Sequence, residues 1–197
     1  MLNLSFKTLP LLLLVILING CATAPTPAGD APAADAPNWH LRGKLAVIQP
    51  DERVSANLHW RHRSSSGQDD LRLSTPIGTT VLVLNSQPGR AQVRFDGQQH
   101  EGQSADQLIE RLTGWPLPLS QISRYLLGDT QGAQAVQYDE FGEPSALELV
   151  HPATGEQWQL RYLGWQQLSG YKVPRQIELR RGDQRLKLAL SHWQPEP

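Results

Sequence analysis

The sequence predicts a mainly β fold: about eleven short strands in one antiparallel sheet that curls into a barrel around a helical plug. Three observations predict it. Apolar and polar residues alternate with a period of two along most of the chain beyond Trp39, the mark of strands buried on one face. Turn residues separate these runs at regular, short intervals, as barrels and sandwiches require. One central segment abandons that period for a helical one and is bracketed by start and stop signals.

The strands follow in order. Leu41, Leu45 and Val47 share one face, and Pro50-Asp51 makes a turn. Val54, Ala56, Leu58 and Trp60 then alternate with Ser55, Asn57, His59 and Arg61. Leu71 and Leu73 alternate with Arg72 and Ser74, and residues 81–84 are apolar on both faces. Residues 92–95 follow the Pro88-Gly89 turn. Beyond Gly132 strands resume over residues 146–150, and Trp158, Leu160 and Tyr162 alternate with Gln157, Gln159 and Arg161. Ile177 and Leu179, then Leu186, Leu188 and Leu190, form a last pair joined across Gly182-Asp183. Between the two blocks, Ser104-Ala105-Asp106-Gln107 reads as a capping box opening a helix through Leu108, Ile109 and Leu112, with Gly114 as its stop. Trp115-Pro116-Leu117-Pro118 interrupts, and a second helix carries Leu119, Ile122 and Leu126 on one face until Gly128.

The N-terminus is of another kind. Lys7 precedes an apolar run over residues 9–18, broken only by Pro10, and Gly20-Cys21 closes it. The run has the length of a signal-peptide core and is short for a membrane span. A small residue before the chain's single cysteine matches a lipoprotein cleavage site, with Cys21 as the lipidated first residue; a secretory signal with a chance cysteine is the alternative. The expected organisation is a signal peptide over residues 1–20, a lipidated Cys21 with a flexible tether to residue 37, and one domain over residues 38–197. The tether is almost all Ala, Pro, Thr, Gly and Asp, with nothing large to bury. Ala22 stands where lipoproteins retained in the inner membrane usually carry Asp, which points to the outer membrane.

Charge narrows the partners. Cleavage takes Lys7 from the 18 basic residues, leaving 17 against 19 acidic ones and a formal charge of −2. That balance predicts neither nucleic-acid binding nor a basic patch for anionic lipid. Motifs for catalysis are lacking: there is no GxSxG, GxxxxGK[ST] or HExxH. His59 and His62 fall on opposite faces of a strand, so no metal is expected, and Asp69-Asp70 reads as part of a turn. The chain is read as a non-enzyme without catalytic residues or cofactors. Arg175, Arg180, Arg181 and Arg185 gather near the last hairpin, as a solvated strand face or a docking patch.

Six tryptophans are many for a chain with one methionine. They are core filler or, as a set, rigid walls of a cavity that stays partly open. The cavity residues expected on this basis are Leu58, Trp60, Leu73, Phe95, Trp115, Ile122, Leu126, Trp158, Leu160 and Trp193. Ile77 is the other oddity, an apolar residue between Pro76 and Gly78. Either it folds back onto the barrel end, or the turn presents an apolar tip that needs a membrane or an apolar partner.

Residues 39–47 (WHLRGKLAV), 55–60 (SANLHW), 75–80 (TPIGTT), 112–119 (LTGWPLPL), 174–179 (PRQIEL) and 186–193 resemble, in order, the LolB family of outer-membrane lipoproteins. The resemblance covers residues 39–193 and includes the cysteine. It implies an incomplete, half-open antiparallel barrel of eleven strands with helices over an apolar cavity. It also implies a receptor, anchored on the periplasmic face of the outer membrane, that accepts lipoproteins from the periplasmic carrier LolA and inserts them without nucleotide hydrolysis. The implied partners are the lipid-loaded carrier, the acyl chains of client lipoproteins and outer-membrane lipid, with the receptor a monomer. Pro76, Ile77 and Gly78 match the family's membrane-insertion loop, where Leu usually stands in place of Ile77. A lipid-binding carrier or a structural envelope lipoprotein that inserts nothing is the competing reading.

Overall fold

The computed structural model describes residues 31–33, 38–115, 117–151 and 154–196; the expected signal peptide and Cys21 lie outside them. In chain order the elements are β1 (Ala31–Pro32), β2 (Asn38–Ile48), β3 (Arg53–Arg63), β4 (Gln68–Ser74), β5 (Thr80–Gln87), β6 (Arg90–Phe95), β7 (Gln98–Gly102), α1 (Ala105–Thr113), α2 (Leu119–Tyr125), β8 (Gln134–Tyr138), β9 (Pro144–Val150), β10 (Gln157–Tyr162), β11 (Trp165–Leu168), β12 (Tyr171–Pro174), β13 (Gln176–Arg181) and β14 (Gln184–Pro195). Eleven strands form one antiparallel sheet in the order β7-β6-β5-β4-β3-β2-β14-β13-β10-β9-β8. Its free edges, β7 and β8, do not pair with each other, so the barrel stays open.

The side-chain period dictates the faces. In β3, Ala56, Leu58 and Trp60 are buried while His59 and Arg61 are exposed. Register carries that pattern across the sheet: Leu41 opposes Trp60, Trp60 opposes Leu71, and Leu71 opposes Leu84. Neighbouring strands rotate by roughly 20–25°, which accumulates to roughly 200° between the edges. The sheet therefore wraps its apolar face around one core, and the two helices fill the mouth. In α1, Ser104 Oγ accepts from the Gln107 N–H at 3.4 Å, and Gly114 caps the other end.

The plug is tied down at both ends. α1 packs on β6 and β7. Its buried Asp106 accepts from Ser120 N (3.0 Å) and Ser120 Oγ (2.7 Å), joining α1 to α2. The same carboxylate lies 3.8 Å from Nε2 of buried His151, just beyond β9. Nδ1 of that ring accepts from the Thr154 N–H (3.2 Å), which leaves Nε2 carrying the proton that faces Asp106. Asp106 thus spans the gap between the β7 side and the β9 side. At the end of α2, Tyr162 Oη donates to the Tyr125 carbonyl at 2.6 Å. Burial first, then Asp129 and Tyr125, push the Tyr162 phenol above its ordinary range, so it remains a donor.

Some expectations change here. Asp69 and Asp70 lie inside β4 rather than in a turn. As consecutive strand residues they do diverge: Asp69 accepts from Trp60 Nε1 (2.7 Å) and contacts His62 Nδ1 (2.8 Å), while Asp70 meets Arg63 and Asn85. Within the expected tether, β1 pairs in parallel with β12, and Ala33 is fully buried. With β11 these two strands form a small second sheet that the strand pattern did not reveal. It packs against β14 through Tyr171 on Trp193 (4.8 Å between rings) and through Gln166 Nε2, which donates to the Leu190 carbonyl.

Candidate functional site: a plugged apolar cavity and an exposed turn

Beneath the plug lies a cavity of about 60 Å³. Leu58, Trp60 and Leu73 form part of its floor, and Trp115 and Ile122 part of its roof. The sheet adds Leu45, Leu71, Leu82, Leu84, Ile177, Leu186 and Leu188, and the helical segment adds Ile109, Thr113, Leu117 and Leu119. The lining is apolar apart from the Thr113 hydroxyl, which is spent on the Ile109 carbonyl (2.7 Å). Ligand sites hold roughly 300–1,000 Å³. This one is far smaller, and the plug's own side chains, Ile109, Trp115, Leu117, Leu119 and Ile122 among them, form its roof.

A second cleft, of about 310 Å³, adjoins it at the mouth. Trp60, Leu71, Leu84 and Leu119 line both spaces, so a single layer of side chains separates them. Asp106 and Ser120 stand on the rim of the outer cleft.

The other expected cavity residues lie elsewhere. Leu126, Trp158, Leu160 and Trp193 are at most 2 % exposed and are packed into the core away from the cavity. Trp158 lies under Arg181, whose guanidinium sits 5.3 Å from its ring and pairs with Glu156. Phe95 is half-buried at the end of β6, in an outer groove with Arg72 and Arg94. Strand parity identifies inward residues but not which of them face the plug. The leucines of β2 and β14 that line the cavity carried the same parity signal as those that do not, and Leu82 and Leu84 of β5 sat in a run apolar on both faces, which gave no parity at all.

Ile77 does not fold back: it is 91 % exposed, more than any other large apolar side chain among the described residues. The turn is rigid. Gly78 N–H donates to the Thr75 carbonyl (2.9 Å), Thr75 N–H to the Thr79 carbonyl (2.8 Å), and Thr79 N–H to Thr75 Oγ1 (3.1 Å). Asn57 Nδ2 holds the Thr75 carbonyl from β3 at 3.2 Å. Pro76 pre-sets the second turn position, and Gly78, at φ 93°, takes a conformation that costs other residues strain. Together these bonds hold Ile77 in water, where its side chain gains nothing from the fold.

His59 points outward and His62 inward, towards Asp69 and the Trp39 ring. Among the described residues no group of three or more His, Cys, Asp or Glu is placed to hold a metal ion.

An open antiparallel half-barrel with two short helices over an apolar core is a fold this chain shares with solved structures. A LolA superfamily protein from Nitrosomonas europaea matches over 83% of this chain and 88% of its own, with a TM-score of 0.53 at 11% identity. Sequence narrows the class. The family described as outer membrane lipoprotein LolB matches residues 37–193. Proteins named outer-membrane lipoprotein LolB from Shewanella baltica and Shewanella oneidensis are 40% and 38% identical over 186 residues, covering 91% of this chain and 85% of each relative. The chain belongs to the LolB family of outer-membrane lipoproteins.

Proposed function

We propose that this protein receives lipoproteins from a soluble periplasmic carrier of the LolA kind and inserts them into the outer membrane. In this reading residues 1–20 are a signal peptide, and Cys21 carries the acyl chains that anchor the protein on the periplasmic face. Residues 21–37 lead from the anchor to the domain, which acts as a monomer and does no catalysis. The observation that carries the reading is the pairing of an apolar cavity beneath the plug with an Ile77 that a hydrogen-bonded turn projects into solvent.

The energetics require that pairing. Each buried methylene contributes roughly 0.8 kcal/mol, so exposing one long acyl chain to water costs on the order of 10 kcal/mol. With no phosphate-loop motif in the sequence to drive it, transfer runs in this reading along a dry path that descends from carrier to cavity to bilayer. The plug keeps the cavity shut until an acyl chain displaces it. Ile77 gains about 1.5–3 kcal/mol on entering lipid, enough to orient the barrel at the surface and too little to anchor it.

The test uses a lipid-loaded carrier and liposomes. Ile77→Glu should leave carrier-to-receiver transfer intact while slowing delivery to liposomes at least tenfold, and Ile77→Leu should restore it. Unchanged delivery by the Glu variant removes the turn from the mechanism.

A further inference from the structure

The near-neutral charge of the chain conceals a sorted surface. On the outer face of the sheet, register aligns Arg42, His59, Arg72, Val83 and Arg94 in one row across β2 to β6. At about 4.8 Å per strand the row spans roughly 19 Å. All three arginines are exposed, and none forms an ion pair among the described residues.

Towards the Ile77 turn, register next aligns Lys44, Asn57, buried Ser74 and Thr80 on β2, β3, β4 and β5, with no carboxylate among them. Acids border the row as well: Glu101, opposite Gln92 in the adjoining outward row, accepts from Gln92 Nε2 (2.9 Å), and Glu196 is taken up by Arg61. Asp70 is engaged by Arg63 and Asn85, and Asp96 lies beyond the end of β6. The row also reaches the turn through space. One open groove is lined by His59, Arg72, Thr80 and Gly78 of the turn itself, and a neighbouring one by Arg72, Val81 and Arg94. Val81, at the base of the same hairpin, is 40 % exposed. The His59 imidazole titrates below its usual value, through burial first and then through Arg42 and Arg72, which registers the local positive field.

Unpaired cations beside a projected apolar tip match the chemistry of a bilayer surface, where phosphates lie next to hydrocarbon. An acidic protein would satisfy the arginines but offers nothing to Ile77 or Val81. We propose that the outer face of β2 to β6 docks on the headgroups of anionic phospholipid, laying the barrel against the membrane with the Ile77 turn leading. This rests on the reading that the turn meets lipid, and it adds a second, electrostatic contact of different chemistry.

The full-length lipidated protein, reconstituted in vesicles, provides the test. Its one native cysteine, Cys21, is acylated in this reading, so an environment-sensitive fluorophore goes only to an introduced thiol. Unsubstituted protein that takes up no label verifies this. Val83→Cys places the probe within the row, and Thr79→Cys places it at the turn.

With phosphatidylglycerol in the vesicles, the probe at position 83 should shift to the blue. In phosphatidylcholine alone it should not, and about 1 M salt, where screening falls to about 3 Å, should reverse the shift. Changing Arg42, Arg72 and Arg94 to Gln should lower the docking equilibrium constant by about fivefold per charge. No shift at position 83, an equal shift in both lipids, or a shift only on adding an acidic protein overturns the docking face. A shift at position 79 alone would leave the turn's role standing without it. A shift at position 83 alone would support the face and remove the turn.

Discussion

Asp106→Ala is the sharpest probe of the plug. In the closed protein that carboxylate accepts two hydrogen bonds from Ser120, at 3.0 and 2.7 Å, and faces Nε2 of buried His151 at 3.8 Å. Hydrogen bonds to a charged group contribute about 1.5–3 kcal/mol each. Its place in the first turn of α1 adds about 0.3–1 kcal/mol from the helix dipole. Against these stands the desolvation of a carboxylate that is only 6 % exposed, which alanine does not incur. The net loss should be about 2–4 kcal/mol, lowering the melting temperature by roughly 5–15 °C for a domain of this size.

Because the two hydrogen bonds join α1 to α2 and the His151 contact at 3.8 Å faces the β9 side, none of them strand to strand, the loss should fall mainly on the plugged state. A destabilisation of 1.4 kcal/mol is a tenfold change in equilibrium, so opening should become at least about tenfold more frequent. Urea denaturation reads the stability, and binding of a lipophilic fluorophore reads the opening. Asp106→Asn, which retains an acceptor for Ser120, should fall between the alanine variant and the parent on both. A stability change below about 0.5 kcal/mol refutes the accounting. A normal stability loss with unchanged fluorophore uptake refutes the plug as the gate.

Three further outcomes follow from the same geometry. Tyr162→Phe removes the bond to the Tyr125 carbonyl and should cost about 1 kcal/mol. Since burial raises the Tyr162 phenol above its unfolded value near 10, the parent's stability should fall as pH rises beyond about 10. The Phe variant should lack that fall in alkaline denaturation curves. His40 and His59 are both held below the usual imidazole value, by burial first and then by neighbouring arginines. The folded state therefore binds fewer protons than the unfolded one, and stability should decline as pH drops below about 6.5. Changing both histidines to Gln should flatten that decline at low ionic strength. A Cβ at Gly43 would lie 2.4 Å from the Ala189 carbonyl oxygen, where β2 meets β14, so Gly43→Ala should cost about 1–3 kcal/mol in urea melts.

The leucines and tryptophans that alternate with polar neighbours in β2, β3, β10 and β14 were legible because side-chain direction in a strand has a period of two, whatever pairs with it. Ser104 and Gly114 announced α1 because helix caps satisfy backbone groups with residues a few positions away. Ile77 between Pro76 and Gly78 was visible as an anomaly for a similar reason: a turn is a local object, and its preferred residues are known. The family could be read from the ordered motifs, since each lies within a short stretch.

Tertiary structure decided the rest, because it depends on partners distant in sequence. Parity sent Trp158 and Trp193 inward, but only the wrap of the sheet determined that they fill core while Trp60 and Trp115 face the cavity. Asp106 and His151 meet only because accumulated twist and the chain's route bring the mouth of the barrel together. The row from Arg42 to Arg94 exists only through register, which sorts charges laterally while leaving their sum near zero. A linear chain records which way each side chain leans; strand pairing decides what stands beside it.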